Sequence, residues 1–324
     1  MSIANKHKIE GLIQQPYNAS VRVMLASLER NVLPDAIIRS LTRLLLAARL
    51  RSAYKPSSEL QLSDLLNFVH SLKEMPIAIK TEEPKAQHYE LSTSFFKLVL
   101  GKNLNCCYFS DESNTLEDAE KAMLELYCER AQPKDGHTVL DIGCGWGSLS
   151  LYIAQKYCNY RINGICNSKT QKAFIEEQCR ERQLQNVEII VADISTFEME
   201  GSYDRIFSVE MFEDKNDDDW ITRYFFTGGT MPAANLLLYF WDDVSVVNQW
   251  LVNGKHYAQT SEEWLKRMDK NSALIKPIME STYGKDQALK WTVYWRTFFV
   301  SVAELFGYNN GEEWMVAHFL FKKK

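Results

Sequence analysis

Residues 138–147 read Thr138-Val139-Leu140-Asp141-Ile142-Gly143-Cys144-Gly145-Trp146-Gly147, and this run decides the fold. A short, β-branched and apolar stretch breaks into alternate glycines. Helix formers follow from Leu149 to Lys156. That is the signature of a strand feeding a tight turn that opens a helix. Glycines at such a turn let the backbone approach a ligand closely, and the amide groups of the helix face it. The spacing is G-x-G-x-G with Asp141 two residues before the first glycine, whereas a pyrophosphate-binding fingerprint runs G-x-G-x-x-G. A tight turn with no ligand is the structural alternative.

On the C-terminal side the pattern repeats. Tyr160–Ile165 reads as a second strand, Lys169–Gln183 as a helix, Val187–Val191 as a third strand and Arg205–Val209 as a fourth. Strands alternating with helices predict an α/β fold with a parallel sheet and right-handed crossovers. On the N-terminal side the first hundred residues read as helices. Val21–Leu28 is apolar at helical spacing, and after Pro34 the residues Ile37, Ile38, Leu41, Leu44, Leu45 and Ala48 form one apolar face. Arg39, Arg43, Arg49 and Arg51 lie off that face, either as a membrane-surface stripe or as the solvated side of a packed helix. Lys80–Lys85, with Pro84, reads as a linker. Toward the end, Val244–Leu251 and Trp314–Phe321 read as strands and Glu262–Met268 and Leu289–Leu305 as helices, with Pro277 a candidate kink.

Composition narrows the function classes. The chain has 324 residues, 46% hydrophobic and 24% charged, an ordinary globular balance that suits two domains or one large one. With 37 basic against 42 acidic residues the net charge is −5, which gives no footprint for nucleic acid. No apolar run is long enough to span a membrane, and the first residues have no signal-peptide core. The seven cysteines are scattered with no C-x-x-C pair, and the six histidines lack ligand spacing, so no metal is expected and a reduced, cytoplasmic protein is.

The glycine motif resembles motif I of class I S-adenosylmethionine-dependent methyltransferases. After the second strand, Gly164-Ile165-Cys166-Asn167-Ser168-Lys169-Thr170-Gln171 is similar to the branch of that class containing cyclopropane fatty acid synthases and plant coclaurine-type N-methyltransferases. The plant branch is also matched by His88-Tyr89-Glu90-Leu91, Phe197-Glu198-Met199-Glu200, Asn253-Gly254-Lys255-His256-Tyr257-Ala258, Tyr294-Trp295-Arg296-Thr297-Phe298-Phe299 and Glu304–Gly311, so the resemblance spans nearly the whole chain. It implies a Rossmann-like sheet with an N-terminal helical region and a substrate cap, and S-adenosyl-L-methionine as cofactor. Gly143, Gly145 and Gly147 would pass under the methionine part, Asn167 and Gln171 would meet the ribose, Asp193 and Ile194 would bracket the adenine, and Val209 would close the site. Glu210 and Glu213 match the family's Glu-x-x-Glu-His, the proton-handling group. Tyr89, Glu90, Trp295 and Phe298 match residues lining the amine pocket. Without the resemblance, Asp193 beside Ser195 and Thr196 reads equally as a helix N-cap, and Trp295 and Phe298 as core.

Two departures accompany these matches. After Glu213 the family continues with histidine, a crossover helix and a fifth strand, a unit of roughly 30 residues. Here Asp214 stands in the histidine's place and the chain runs directly into Lys215-Asn216-Asp217-Asp218-Asp219-Trp220. Asn235–Phe240 has strand composition and is the candidate to replace the fifth strand. Upstream, Leu104-Asn105-Cys106-Cys107-Tyr108 is shortened where relatives contact the cofactor. The expected organisation is therefore a helical and substrate region at 1–115, a cofactor-binding half at 116–213, and at 214–324 a cap with C-terminal strands that complete the sheet.

The expected function is N-methylation of a small, benzylisoquinoline-like amine. The alternatives are a catalytically impaired, shortened form of such an enzyme, or a cyclopropane-fatty-acyl-phospholipid synthase-like enzyme using Cys106 or Cys107, Glu213 and Tyr294. The implied partners are a small-molecule amine, with no nucleic acid, no stable membrane association, and a homodimer as the oligomer to test.

Overall fold

Strand β1 (Thr138–Ile142) lies inside a parallel sheet, hydrogen-bonded to β2 (Arg161–Cys166) on one side and to β4 (Arg205–Ser208) on the other; β3 (Val187–Val191) lies beyond β2. These are the four strands expected from the sequence, within a residue at each end. The order β3-β2-β1-β4 means that the chain winds outward from β1, then returns to its opposite side. That reversal makes the β1/β4 boundary the topological switch point, where open α/β sheets bind ligands. The computed structural model describes residues 23–75, 91–101, 106–111, 113–198, 201–209, 220–225 and 232–324; the linker expected at Lys80–Lys85 lies outside them.

Two helices connect the strands, α5 (Ser148–Lys156) after β1 and α6 (Lys169–Glu181) after β2. Before the sheet come α1 (Asp35–Ala53), α2 (Ser58–Glu74), α3 (Thr93–Val99) and α4 (Leu116–Ala131), with a helical segment over 23–29. Helix α4 starts on a capping box in which Thr115 and Asp118 satisfy each other's backbone. After the sheet come α7 (Trp220–Tyr224), β5 (Val244–Val252), α8 (Lys255–Lys270), α9 (Ser272–Tyr283), α10 (Lys285–Gly307) and β6 (Val316–Lys323).

The core has two main parts. One packs Met123 and Tyr127 of α4 and Ile153 of α5 against Val139, Phe207 and Val252. The other joins Phe95 and Phe96 of α3, Trp264 and Met268 of α8, Ile275 and Met279 of α9, and Val293, Trp295 and Phe299 of α10. Trp146 of the glycine loop belongs to this second cluster, which ties the sheet's glycine turn to these helices.

Four expectations are corrected. The C-terminal strands do not complete the parallel sheet: β5 and β6 pair antiparallel with each other as a separate ribbon, and among the described residues β4 is the edge strand. Asn235–Phe240 is not a replacement strand. Leu236–Tyr239 is a 3₁₀ turn, its backbone satisfied locally by Leu236 N to Ala233 O, Leu238 N to Asn235 O and Phe240 N to Leu237 O. Pro277 does not break its helix, which continues through it because Ile275 and Met279 on either side are buried in the cap. The arginine stripe is neither membrane-facing nor simply solvated where it matters most. Arg39 bonds Glu262 at 2.5 and 3.0 Å and Glu304 at 2.9 Å, and Arg43 bonds Glu304 at 2.5 Å, holding α1 against α8 and α10.

Candidate active site

Because the four strands are parallel, the residues that follow them gather at one edge: Gly143 after β1, Asn167 after β2, Asp193 after β3 and Val209 after β4. A small cavity at the switch point is lined by Asp141, Gly143, Cys144, Gly145, Trp146, Ser148, Leu149 and Val209. The glycine turn is pinned to β2, with the amides of Gly143 and Cys144 both donating to the Ile165 carbonyl at 3.0 and 2.9 Å. Those two amides are therefore used in holding the turn, not in facing a ligand. Gly145 and Gly147 both take positive φ, +53° and +81°, but for different reasons. A Cβ on Gly147 would come within 2.7 Å of the Ile175 side chain, so that glycine allows α5 and α6 to approach each other. A Cβ on Gly145 would meet nothing within 4 Å, so Gly145 lies under open space.

Asp141 is 3% exposed at the end of β1 and lines the same cavity. Its Oδ2 accepts from Ser150 Oγ at 2.6 Å. Burial pushes this carboxyl up to about 6 despite that bond. A desolvated carboxylate beside a glycine cradle is a site for a cation. S-adenosylmethionine carries both an ammonium and a sulfonium, and the open space over Gly145 gives its methionyl part room, so the residues present fit the group.

The remaining cofactor candidates are placed unequally. Asn167 is exposed at the end of β2. Gln171 is buried in the first turn of α6, its amide donating to the N-cap oxygen of Ser168 at 3.4 Å. Asp193 Oδ1 accepts from the amide and hydroxyl of Ser195 at 2.9 and 2.6 Å within a turn; no helix starts there, so it is not the helix N-cap that was weighed from sequence. Ile194 beside it is half-buried.

Glu210, Glu213, Tyr89 and Glu90 lie outside the described residues, as do residues 102–105 of the shortened loop. Trp295 and Phe298 stand in an aromatic cluster, with ring centroids 5.9 Å apart and Phe225 at 5.1 and 4.7 Å from them. The cluster reaches the cofactor side through Phe96, which is 6.2 Å from Trp295 and 5.5 Å from Trp146. It extends the other way through Trp220 to Tyr294. Among the described residues, the indole N–H groups of Trp220 and Trp295 are buried without a hydrogen-bond partner. Leaving such a donor unmade costs about 1–3 kcal/mol, which ligand oxygens would recover. Cys106 and Cys107 are fully buried, and the amide of Cys107 donates to Thr260 Oγ1 at 3.0 Å.

Asp141 and Trp146 were not among the site residues read from sequence, and Tyr294 was read only in the lipid-modifying alternative. Signals existed for the first two: Asp141 is a charge inside a buried strand, and Trp146 is a large side chain between two turn glycines. Tyr294 joins the site only through packing between α7 and α10.

The fold and the cradle together define a class I S-adenosylmethionine-dependent methyltransferase. Residues 78–218 match the family described as mycolic acid cyclopropane synthetase. The chain is 46% identical to (S)-coclaurine N-methyltransferase of Thalictrum flavum subsp. glaucum, with 98% of this chain and 99% of that one covered. It is 40% identical to pavine N-methyltransferase of the same plant, over 96% and 99%. A crystal structure of coclaurine N-methyltransferase bound to N-methylheliamine and S-adenosylhomocysteine superposes with a TM-score of 0.90 at 45% identity, covering 94% of this chain and 100% of that one. A cyclopropane synthase from Mycobacterium tuberculosis shares the fold, with a TM-score of 0.60 at 20% identity over 76% and 99% of the two chains. The chain belongs to the plant coclaurine N-methyltransferase family. The alignment to the Thalictrum relative runs over 359 positions against a chain of 324, so at least 35 positions of the relative face no residue here.

Proposed function

We propose that this chain is a cytosolic N-methyltransferase that moves a methyl group from S-adenosylmethionine to the nitrogen of a small aromatic amine of the benzylisoquinoline class. The observation that carries the reading is the aromatic cluster around Trp295, Phe298 and Phe225, joined through Phe96 and Trp146 to the glycine cradle. When bound, S-adenosylmethionine supplies an electrophilic methyl on a sulfonium: the N–C bond forms as the S–C bond breaks, and the amine loses one proton. Gly143, Gly145 and Gly147 accept the methionyl part, with Asp141 as the anionic partner of its ammonium. Asn167 and Gln171 take the ribose edge, and Asp193, Ile194 and Val209 take the adenine and the site's inner wall.

The protein's contribution to the reaction is orientation and proton handling. Glu210 and Glu213 hold or take the proton of the acceptor amine, with Tyr89 and Glu90 completing the acceptor site. Trp295 and Phe298 supply π faces for a cationic amine and its methylated product, and the unpaired indole N–H groups suit ring oxygens on the acceptor. The lipid-modifying alternative is less well supported. Arg39 and Arg43 are committed to Glu262 and Glu304, Cys106 and Cys107 are buried, and no described helix is long and apolar enough to cross a membrane.

The test is a methylation assay over a panel of benzylisoquinoline and simpler aromatic amines, with phospholipid vesicles as the competing acceptor. Amine products alone support the reading; lipid products alone overturn it. Light scattering of the same preparation tests the homodimer.

A further inference from the structure

The aromatic cluster ends at a polar group that the cofactor and proton-handling roles leave unused. Tyr294, 1% exposed, donates its hydroxyl to Glu29 Oε1 at 2.5 Å. Lys290 Nζ lies 3.2 Å from the same oxygen, and its ammonium sits 5.2 Å from the centre of the Tyr294 ring. Glu29 comes from the helical segment over 23–29, some 265 residues away in sequence. The Tyr294 ring in turn contacts Trp220 at 5.1 Å, edge-on, and Tyr224 at 4.7 Å. Trp220 contacts Phe225 at 5.5 Å, and Phe225 packs on both Trp295 and Phe298. The Glu29 hydrogen bond thus holds the last ring of a wall that runs to Trp295 and Phe298. Burial and the Glu29 carboxylate both raise the Tyr294 phenol, so it remains a donor throughout the working pH range.

We propose that Glu29 is a positioning residue for acceptor recognition: by holding the Tyr294 hydroxyl it sets the orientation of the Tyr294–Trp220–Phe225 wall against Trp295 and Phe298, and so tunes affinity for the aromatic amine without acting on the cofactor. The inference rests on reading Trp295 and Phe298 as the acceptor wall. It gives the N-terminal segment a part in choosing the substrate, since the wall's outermost anchor lies on that segment and not on the cap.

The experiment is calorimetric titration of an aromatic benzylisoquinoline amine into the protein saturated with S-adenosylhomocysteine, with S-adenosylhomocysteine affinity and the melting curve measured alongside. Glu29→Ala is expected to weaken amine binding about tenfold, the size of one hydrogen bond to a charged group, with S-adenosylhomocysteine affinity unchanged. Tyr294→Phe keeps the ring and is expected to give the same loss, and the double variant no more than either single one. Glu29→Gln, which keeps an acceptor oxygen, is expected to recover most of the affinity, and Lys290→Met to leave it in place. In turnover the loss falls on the KM for the amine and not on kcat. Unchanged amine binding in Glu29→Ala and Tyr294→Phe overturns the proposal while leaving N-methylation standing. A parallel fall in S-adenosylhomocysteine affinity and melting temperature also overturns it, by showing a purely structural tie. If the wild-type protein binds no aromatic amine, the proposal and the reading it rests on fail together.

Discussion

Asp141 illustrates how a single residue carries both stability and function. Its carboxyl is raised to about 6 by burial, against an ordinary value near 3.8. Between those values the folded state holds a proton that the unfolded chain has released, so this group's contribution falls as pH rises through the window and remains a cost above it. The cost is on the order of 3 kcal/mol. Asp141→Asn, which keeps the shape and an acceptor for Ser150, is expected to raise the melting temperature at pH 8, to do so less at pH 5, and to weaken S-adenosylhomocysteine binding at both. A lower melting temperature at pH 8 with unchanged binding would contradict this. The two glycines separate in the same way. Gly147→Ala must strain a positive φ and press on Ile175, so an unfolding curve is expected to show a loss of about 2–3 kcal/mol. Gly145→Ala meets only open space, so about 1 kcal/mol is expected in stability and the larger effect in cofactor affinity. The glycine spacing was legible in sequence because turn chemistry is local. The different roles of Gly145 and Gly147 were not, because they depend on where α6 packs.

Among the elements, the β5–β6 ribbon is held by a cluster that no periodicity reveals. His318 on β6 stands opposite Trp250 of β5 in the register, stacks 5.1 Å from Tyr127 of α4 and contacts Arg130, whose guanidinium lies 4.9 Å over Trp250. Burial, reinforced by Arg130, lowers His318 to about 4. Here the unfolded chain binds the extra proton, so the stability it contributes is full above about 6.5 and is lost as pH falls toward 4. The amount is up to about 3 kcal/mol. Thermal melts from pH 7 to 4 are expected to show a shallower acid limb in His318→Phe than in the wild type, and an unchanged limb would contradict the burial argument. Between about pH 4 and 6 this slope opposes that of Asp141, so each is best seen in its own variant. The parallel strands were legible because each is a short apolar run between turn residues. Leu236–Tyr239 was misread for the same reason: a four-residue apolar run is as compatible with a 3₁₀ turn as with a strand, and only the available partners decide. Among the described residues β4 is the sheet's edge strand, with Ile206 59% exposed.

Across the whole molecule, two arginine clusters join the N-terminal helix to the cap. Arg39 and Arg43 bind Glu262 and Glu304, and Arg296 of α10 bridges Asp35 of α1 at 3.1 Å and Asp269 of α8 at 2.6 Å. These pairs are partly exposed, so each is worth about 1 kcal/mol and weakens in salt. Arg296→Met is expected to make α1 more sensitive to limited proteolysis while the melt of the sheet changes little; equal protection in both proteins would contradict the clamp. From sequence Arg39 and Arg43 appeared only as residues off an apolar face, because their acidic partners lie more than 200 residues away. The docking of the ribbon, the cap and the N-terminal segment is not legible in the sequence, because it is decided by tertiary packing.

The central claim is that the cofactor half works although, among the described residues, β4 lies at the sheet's edge. The most direct measurement is calorimetric titration of the purified chain with S-adenosylhomocysteine, paired with its melting curve. Micromolar binding and a cooperative melt raised by the ligand are the expected result. Methylation of an aromatic amine that falls with Glu210→Gln or Glu213→Gln would then complete the account. No binding and no cooperative melt would contradict it, and would make this chain a shortened form that keeps the family's sequence without its activity.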